Sequence, residues 1–200
     1  MGIGGGFFML YYNRKEEKIT VIDARETAPA ASTCDMFKYN SKVKGGSSIA
    51  VPGEIKGYWQ AHKMFGNLKW SKLFQSAIDM CNNGFQLPAS QAKCLKYCEN
   101  KIFDSQQLRE IFVNRVNNEI YKTNSIIKLP KLAKTLETIA KEGESAFYNG
   151  SLTDTIVDEI QSEGGIITKS DLQSYQCILR EPVTFKMKNN YLLNSAPGPS

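Results

Sequence analysis

The sequence predicts an α+β fold in which strands lie near both ends of the chain and a large helical block lies between them. Two apolar runs of strand length, residues 7–12 and 19–24, occur near the start. Beyond Gly53 the apolar residues recur with a period close to 3.6, as helices require. Strand-like segments return at 177–188 and 191–194. The length of 200 residues favours one domain, or part of a larger one.

The first two apolar runs are expected to form a β-hairpin. Residues 7–12 are predicted to be a buried strand and residues 19–24 the returning strand, with a polar turn over 13–17. Residues 28–44 are polar and irregular. A short apolar strand is then expected over 48–51, where Pro52 and Gly53 stop it.

The helical block begins with two well-marked helices. The first carries an apolar face of Ile55, Tyr58, Trp59, His62 and Phe65, and Gly66 is expected to terminate it. A second apolar stripe runs over residues 70–81 and is closed by Gly84. Weaker helical patterns follow over 90–100 and 105–114.

Three further helices have recognisable starts. Pro130 suits the first turn of one, because its missing N–H would have no partner there. Ser151 with Asp154, and Thr168 with Asp171, each have the spacing of a capping box. The helix after Ser151 is expected to reach Gly164 and Gly165, and the last helix to end near Tyr175. Residues 188–190 are predicted to be a turn between the two strands of the tail.

Composition excludes several classes of function. The net charge is +5, but Lys and Arg are interspersed with Asp and Glu, so we expect no nucleic-acid partner. The apolar runs are too short to span a bilayer, and the start lacks a signal-peptide pattern; taken literally, the chain is cytosolic. The five cysteines include no C-x-x-C pair. Cys94 and Cys98 are four apart in a predicted helix, a poor geometry for a bridge, and are read as small helix residues in preference to a disulfide.

The glycine-rich start MGIGGG does not match a phosphate-binding loop. Its glycines lack the G-x-G-x-x-G spacing, a strand follows instead of a helix, and there is no Gly-Lys-Ser/Thr. His62 lies on an apolar helix face and is read as a core histidine satisfied by a hydrogen bond. One histidine and dispersed carboxylates supply no recognisable metal-ligand set, so no metal or cofactor is expected.

Arg25 and Asn149 are the candidate site residues. Arg25 follows an apolar strand in VIDARETAP, and a guanidinium at a strand end is able to clamp a carboxylate with two hydrogen bonds. A solvated or salt-bridged arginine is the more common alternative. Asn149-Gly150-Ser151 is a glycosylation sequon between two helices. Its use would require a lumenal or extracellular location, which conflicts with the cytosolic reading.

Six motifs occur in this order along the chain: MGIGGGFF, VIDARETAP, GGSSIAVPGEIKGYWQAHKMFG, LFQSAIDMCNNGF, ETIAKEGESAFYNGSL and GGIITKSDLQSY. Together they resemble the large subunit of gamma-glutamyl transpeptidases, also called glutathione hydrolases. The resemblance implies a partial N-terminal nucleophile hydrolase fold, an αββα sandwich to which residues 1–200 contribute one partial domain. It also implies cleavage of the gamma-glutamyl bond of glutathione, with transfer to water, amino acids or peptides.

The same resemblance assigns roles to residues. Arg25 matches the family arginine that pairs with the substrate's alpha-carboxylate. The family's nucleophile is the N-terminal threonine of the small subunit, and no Thr-Thr-His-like stretch occurs here, so no catalytic residue is assigned and the chain alone is expected to be inactive. Met1 would correspond to an internal methionine of a truncated member.

The partners implied are gamma-glutamyl compounds and the small subunit of the same precursor. Full-length relatives would lie on the extracellular face of the plasma membrane. The alternative is a catalytically dead pseudo-subunit, or a module that binds gamma-glutamyl compounds.

Overall fold

The computed structural model describes residues 2–38 and 45–198. The chain divides into two units: Met1–Lys69 together with Glu142–Ser200 form the first, and Trp70–Lys141 form the second. Residues 39–44 of the predicted irregular segment, and Met1, lie outside the described residues, while residues 28–38 form turns and irregular backbone. The expectation of one partial domain over residues 1–200 stays a prediction.

The described residues contain nine strands. In chain order these are β1 (Phe7–Asn13), β2 (Lys18–Ala24), β3 (Phe85–Gln86), β4 (Val113–Asn114), β5 (Glu119–Ile120), β6 (Ile126–Ile127), β7 (Ile178–Arg180), β8 (Val183–Lys186) and β9 (Leu192–Ser195).

The same residues contain nine α-helices. They are α1 (Glu54–Phe65), α2 (Gln75–Asn83), α3 (Ala89–Tyr97), α4 (Glu99–Asp104), α5 (Gln106–Phe112), α6 (Pro130–Glu142), α7 (Ser145–Tyr148), α8 (Thr153–Ser162) and α9 (Lys169–Ser174). None of these helices is both long and apolar enough to cross a bilayer. The mixture of helix and sheet confirms the α+β class.

The predicted hairpin is confirmed, and it belongs to a sheet that joins both ends of the chain. β1 and β2 pair antiparallel, with Phe7 opposite Ala24. β7 pairs with the other edge of β2, with Val21 opposite Arg180, so the sheet order is β1-β2-β7. The central strand β2 is buried from Val21 to Ala24, whereas β1 lies at an edge and is only half-buried. β1 is therefore more exposed than the sequence predicted.

The tail differs from the prediction in one respect. The expected strand over 177–188 breaks at Glu181 and Pro182 into β7 and β8, because a proline has no N–H to donate to a continuing ladder. β8 then pairs with β9 across the predicted turn, in which Asn190 has a φ of +66°.

Helix α1 packs its N-terminal half on β2 and is capped from elsewhere in the chain. Gly53, the residue before the helix, provides no side-chain cap. The carbonyl of Gly5 instead accepts hydrogen bonds from Gly53 N (2.9 Å) and Glu54 N (3.0 Å). The Tyr148 hydroxyl accepts a third, from Lys56 N at 3.2 Å. These bonds satisfy N–H groups that a helix start leaves unpaired.

Several predicted helix boundaries are confirmed. α1 ends before Gly66, whose N–H donates to His62 O. α6 begins at Pro130. Gly84 follows α2 with a φ of +96°. Thr168 and Asp171 form the complete capping box at the start of α9.

Other boundaries were predicted wrongly. The stripe over 70–81 is a 3-10 turn, Trp70–Leu73, followed by α2. The pattern over 90–100 is divided near Cys98 between α3 and α4, and the one over 105–114 stops at Phe112, where β4 begins. The strand expected over 48–51 is wrong as well: Gly45–Ser48 form a 3-10 turn, and Val51 makes an isolated bridge with Thr27.

The capping box predicted at Ser151 is also wrong. α8 begins at Thr153, after Leu152, which makes no side-chain cap. The Ser151 hydroxyl donates instead to Glu142 Oε2 at 2.7 Å. The Ser151 side chain, which the local pattern assigned to the helix start, therefore makes a tertiary contact instead.

The second unit has its own small core. Ile102, Val113 and Ile120 are buried there, packed against partly buried neighbours: Leu95, Cys98, Phe103, Leu108 and Phe112. Two short antiparallel ribbons, β3 with β6 and β4 with β5, belong to this unit. The sequence predicted none of these two-residue strands, which are too short to show alternation.

Candidate functional site

Arg25 lies where β2 ends, at a cleft of about 240 Å³ in the first unit. The cleft is formed by the end of β2, the loop that follows it, and the segment that leads into β7. Its lining includes Asp23, Arg25, Glu26, Thr27, Tyr175 and Arg180. The predicted placement of Arg25 at a strand end is therefore confirmed, and the structure brings a second arginine, Arg180, to the same cleft.

The backbone of Arg25 is held on both sides while its side chain is exposed. Its N–H donates to Asp23 Oδ1 at 3.1 Å, and its carbonyl accepts from the Tyr175 hydroxyl at 2.8 Å. Arg25 takes part in none of the ion pairs found among the described residues. The guanidinium thus projects from a fixed peptide and is open to a ligand carboxylate.

Asp23 connects Arg25 to Arg180. Its side chain is 11% exposed, and Oδ2 accepts from Arg180 Nε at 2.7 Å. The one carboxylate therefore bonds the Arg25 backbone with one oxygen and the Arg180 side chain with the other.

The loop after Arg25 is fixed further along its length. Thr27 and Val51 exchange backbone hydrogen bonds of 3.2 and 2.8 Å. Ala30 N donates to Asp171 Oδ1 at 2.8 Å, and the other oxygen of Asp171 accepts from Thr168. Burial acts to raise the pKa of Asp171, but the hydrogen bonds from Ala30 and Thr168 outweigh it and lower the pKa below its ordinary value.

Two stacked tyrosines support this loop. The rings of Tyr148 and Tyr175 are 5.8 Å apart with an interplanar angle of 15°. Tyr148 donates to Pro52 O at 2.8 Å, as Tyr175 does to Arg25 O. Burial is the main cause that raises the pKa of both phenols, so both remain hydrogen-bond donors at neutral pH.

The glycine-rich start packs its backbone closely against the backbone at the end of β2. A Cβ on Gly6 would collide with the carbonyl of Ala24, at the end of β2. A Cβ on Gly53 would collide with the same carbonyl and with the Tyr175 hydroxyl. Glycine at these two positions lets the start of the chain and the start of α1 approach the strand that delivers Arg25.

A buried carboxylate lies beside this segment. Glu54 is 1% exposed, and its Oε1 accepts from the Tyr58 hydroxyl at 2.7 Å. Its Oε2 is buried and has no hydrogen-bond partner among the described residues. Burial, followed by the hydrogen bond and the charge of Glu54, raises the pKa of Tyr58 to about 12.

The remaining candidates lie away from the cleft. His62 makes the expected hydrogen bond, with its Nε2 2.8 Å from Leu68 O, but it is only half-buried, so its placement in the core was predicted wrongly. Asn149 is exposed after α7, and its Oδ1 accepts from Gln173 Nε2 at 2.7 Å. Neither residue lines the cleft at Arg25.

Sequence reasoning missed the residues that hold Arg25 in place. Asp23 is visible as a charged residue within an apolar strand, which is a usable signal. Asp171 was assigned only to a capping box. Tyr175 has no sequence signal, because its partner lies 150 residues away in the chain.

Comparison with known proteins assigns this architecture to a family. The model for "Gamma-glutamyltranspeptidase" matches residues 1–200. The chain belongs to the gamma-glutamyltranspeptidase family, as its motifs indicated. It is 43% identical over 201 residues to Scoloptoxin SSD14 of Scolopendra dehaani and 35% identical over 205 residues to Glutathione hydrolase 5 proenzyme of Rattus norvegicus. Each match covers 100% of this chain and 35% of the relative.

Solved structures agree with this assignment. The gamma-glutamyltranspeptidase of Helicobacter pylori matches with a TM-score of 0.92 at 30% identity, over 99% of this chain and 58% of that one. That of Pseudomonas nitroreducens, complexed with L-DON, matches with a TM-score of 0.88 at 34% identity and the same coverages. The expected partial N-terminal nucleophile hydrolase fold is confirmed. The chain spans about a third of the length of the curated relatives named above.

Proposed function

We propose that this chain supplies the carboxylate-binding part of a glutathione hydrolase, or gamma-glutamyltransferase. The observation that carries the proposal is the exposed guanidinium of Arg25, held on a fixed backbone in a cleft and outside the ion pairs of the described residues. Two parallel N–H donors of a guanidinium match the two oxygens of a substrate alpha-carboxylate. Membership of the family, with Arg25 in the motif VIDARETAP, supports the assignment.

The bond-breaking step in this proposal uses a partner subunit. A threonine at the N-terminus of the small subunit attacks the gamma-glutamyl carbonyl, with its own amine accepting the hydroxyl proton. The amide bond breaks, cysteinylglycine leaves with a proton, and the gamma-glutamyl ester is then resolved by water or by an amine acceptor. In this scheme residues 1–200 bind and orient the substrate but supply no nucleophile.

The test is replacement of Arg25 by Ala in the gene product that contains this chain, expressed in full. Substrate binding desolvates the guanidinium–carboxylate pair in this proposal, and loss of one partner of a desolvated charge pair costs about 2 to 5 kcal/mol, which corresponds to a KM for gamma-glutamyl-p-nitroanilide raised at least about 30-fold. Arg14→Ala is the matched control, since Arg14 is an exposed arginine in the turn of the same hairpin. Equal KM values for the two variants would contradict the proposal.

A second candidate is a module that binds gamma-glutamyl compounds without cleaving them, or a pseudo-subunit. It is favoured by the fact that the cleft at Arg25 is built from residues of this chain. Calorimetry of the chain with glutathione, and co-purification with a small subunit, test it. Heat of binding without turnover by the gene product expressed in full would favour this candidate over the enzyme.

We also propose that Asn149 carries a glycan and that the full-length protein lies on the extracellular face of the plasma membrane. The exposure of Asn149, the first residue of the sequon Asn149-Gly150-Ser151, supports this. Treatment with an amide-cleaving glycosidase should lower the apparent mass of the secreted or surface protein, and Asn149→Gln should abolish that change. An unchanged mass on treatment would refute glycosylation.

A further inference from the structure

We propose that Tyr175 is a positioning residue for substrate binding, acting through the backbone of Arg25. This inference rests on the proposed function of Arg25. The Tyr175 hydroxyl donates to the carbonyl of Arg25 at 2.8 Å, and Asp23 holds the N–H of the same residue. The two peptide groups that flank the Arg25 Cα are therefore both fixed by side chains. A guanidinium on such a backbone loses less conformational freedom when it binds a carboxylate.

The Tyr175 hydroxyl is itself held in place. Its residue is 4% exposed, and its ring stacks on that of Tyr148, which is 2% exposed. Tyr148 is fixed in turn by the bond it donates to Pro52 O. Stacking and burial therefore hold the Tyr175 ring in the orientation in which its hydroxyl points at the carbonyl of Arg25.

Helix α9 secures both ends of the loop that carries Arg25. Tyr175 immediately follows α9 and contacts residue 25, while Asp171 within α9 accepts from Ala30 N at 2.8 Å. The capping box at Thr168 fixes the Asp171 carboxylate. The short helix α9 and the residue after it thus bond both ends of the segment from Arg25 to Ala30. The role we assign to Tyr175 is to fix the orientation of the Arg25 peptide, and with it the direction in which the Arg25 side chain projects.

Two conservative variants separate this role from a purely structural one. Tyr175→Phe keeps the stacked ring and removes the donor to Arg25 O. Thr153→Val is the matched control, because it removes a fully buried hydroxyl from the same unit, one that bonds Phe147 O and Gly150 N and not Arg25. Both variants, made in the gene product expressed in full, are assayed with gamma-glutamyl-p-nitroanilide, and their thermal midpoints are measured alongside.

The expected result is a KM raised about 5-fold in Tyr175→Phe with kcat changed less than about 2-fold, as loss of one neutral hydrogen bond allows. In Thr153→Val the KM should stay within about 2-fold of wild type even though the thermal midpoint falls, because the lost hydroxyl bonds only Phe147 O and Gly150 N. On an Arg25→Ala background, Tyr175→Phe should add no further rise in KM, because it acts only through that arginine.

Each failure has a separate meaning. An inactive wild-type gene product overturns the proposed function and this role with it. Activity that depends on Arg25, together with an unchanged KM in Tyr175→Phe, overturns the role of Tyr175 alone. A rise in KM from Tyr175→Phe that persists in the Arg25→Ala background also overturns the role of Tyr175 alone. If Tyr175→Phe does not accumulate, Asp171→Ala removes the acceptor of Ala30 N at the other end of the loop, and an unchanged KM in that variant overturns the proposal.

Discussion

Tyr148→Phe is the sharpest stability test that the structure offers, because one hydroxyl serves two backbone groups. Tyr148 is 2% exposed; it donates to Pro52 O at 2.8 Å and accepts from Lys56 N at 3.2 Å. Loss of a helix cap costs about 0.5 to 2 kcal/mol, and a buried carbonyl left without a donor about 1 to 3 kcal/mol. We expect a total loss of about 2 kcal/mol when both hydrogen bonds are removed, because the contact with Lys56 N, at 3.2 Å, is long.

For a protein of this size that loss should lower the thermal midpoint by roughly 4 to 8 °C. Thermal unfolding followed by circular dichroism measures the shift. Hydrogen exchange provides a local check, since the Lys56 amide should lose protection first. Tyr97→Phe is the control, because the Tyr97 side chain is 91% exposed and a phenol there contributes little. Equal midpoints for the two variants would refute the view that Tyr148 caps α1.

Two further predictions concern pH. The lowered pKa of Asp171 means that its contribution to stability is present above the ordinary carboxyl pKa and is lost as pH falls through the folded value. Asp171→Asn should therefore lower the thermal midpoint at pH 7 and lower it progressively less below about pH 4; a constant difference across this range would contradict the assignment. The raised pKa of Tyr58, about 12, means that its contribution is present below pH 10 and is lost between about 10 and 12. Tyr58→Phe should flatten the alkaline decline in stability, and an identical decline in both proteins would exclude Tyr58 as a source.

The sequence predicted the parts of the fold that depend on neighbouring residues. Two apolar runs and a polar turn identify the hairpin of β1 and β2, and the box of Thr168 and Asp171 identifies the start of α9. The same local rule failed at Ser151, because a carboxylate on Glu142 competes for its hydroxyl. The pairs Ser151/Asp154 and Thr168/Asp171 have the same spacing, but only the second forms a cap. The difference lies in which side chains are nearby in the folded protein, and the spacing does not encode that.

At the candidate site, too, some features follow from neighbouring residues and others depend on distant parts of the chain. The position of Arg25 at the end of an apolar strand follows from local pattern, and the family motif singles it out. The support of its backbone does not, since Tyr175 bonds the Arg25 carbonyl, and Arg180 bonds Asp23, from the opposite end of the chain. Long-range pairing of β2 with β7 brings them together, and three-residue β7 is too short to reveal its partner. The binding role of Arg25 stays a prediction.

The contact between residues so far apart in the chain determines when the site at Arg25 can form during synthesis. Arg25 and Tyr175 are separated by 150 residues, so a ribosome that adds about 5 to 20 residues per second needs roughly 8 to 30 seconds to progress from one to the other. During that interval β2 has neither β7 at its edge nor the phenol that fixes the Arg25 carbonyl. The loop that carries Arg25 is therefore among the last parts of this chain to become rigid, although it is among the first to be made.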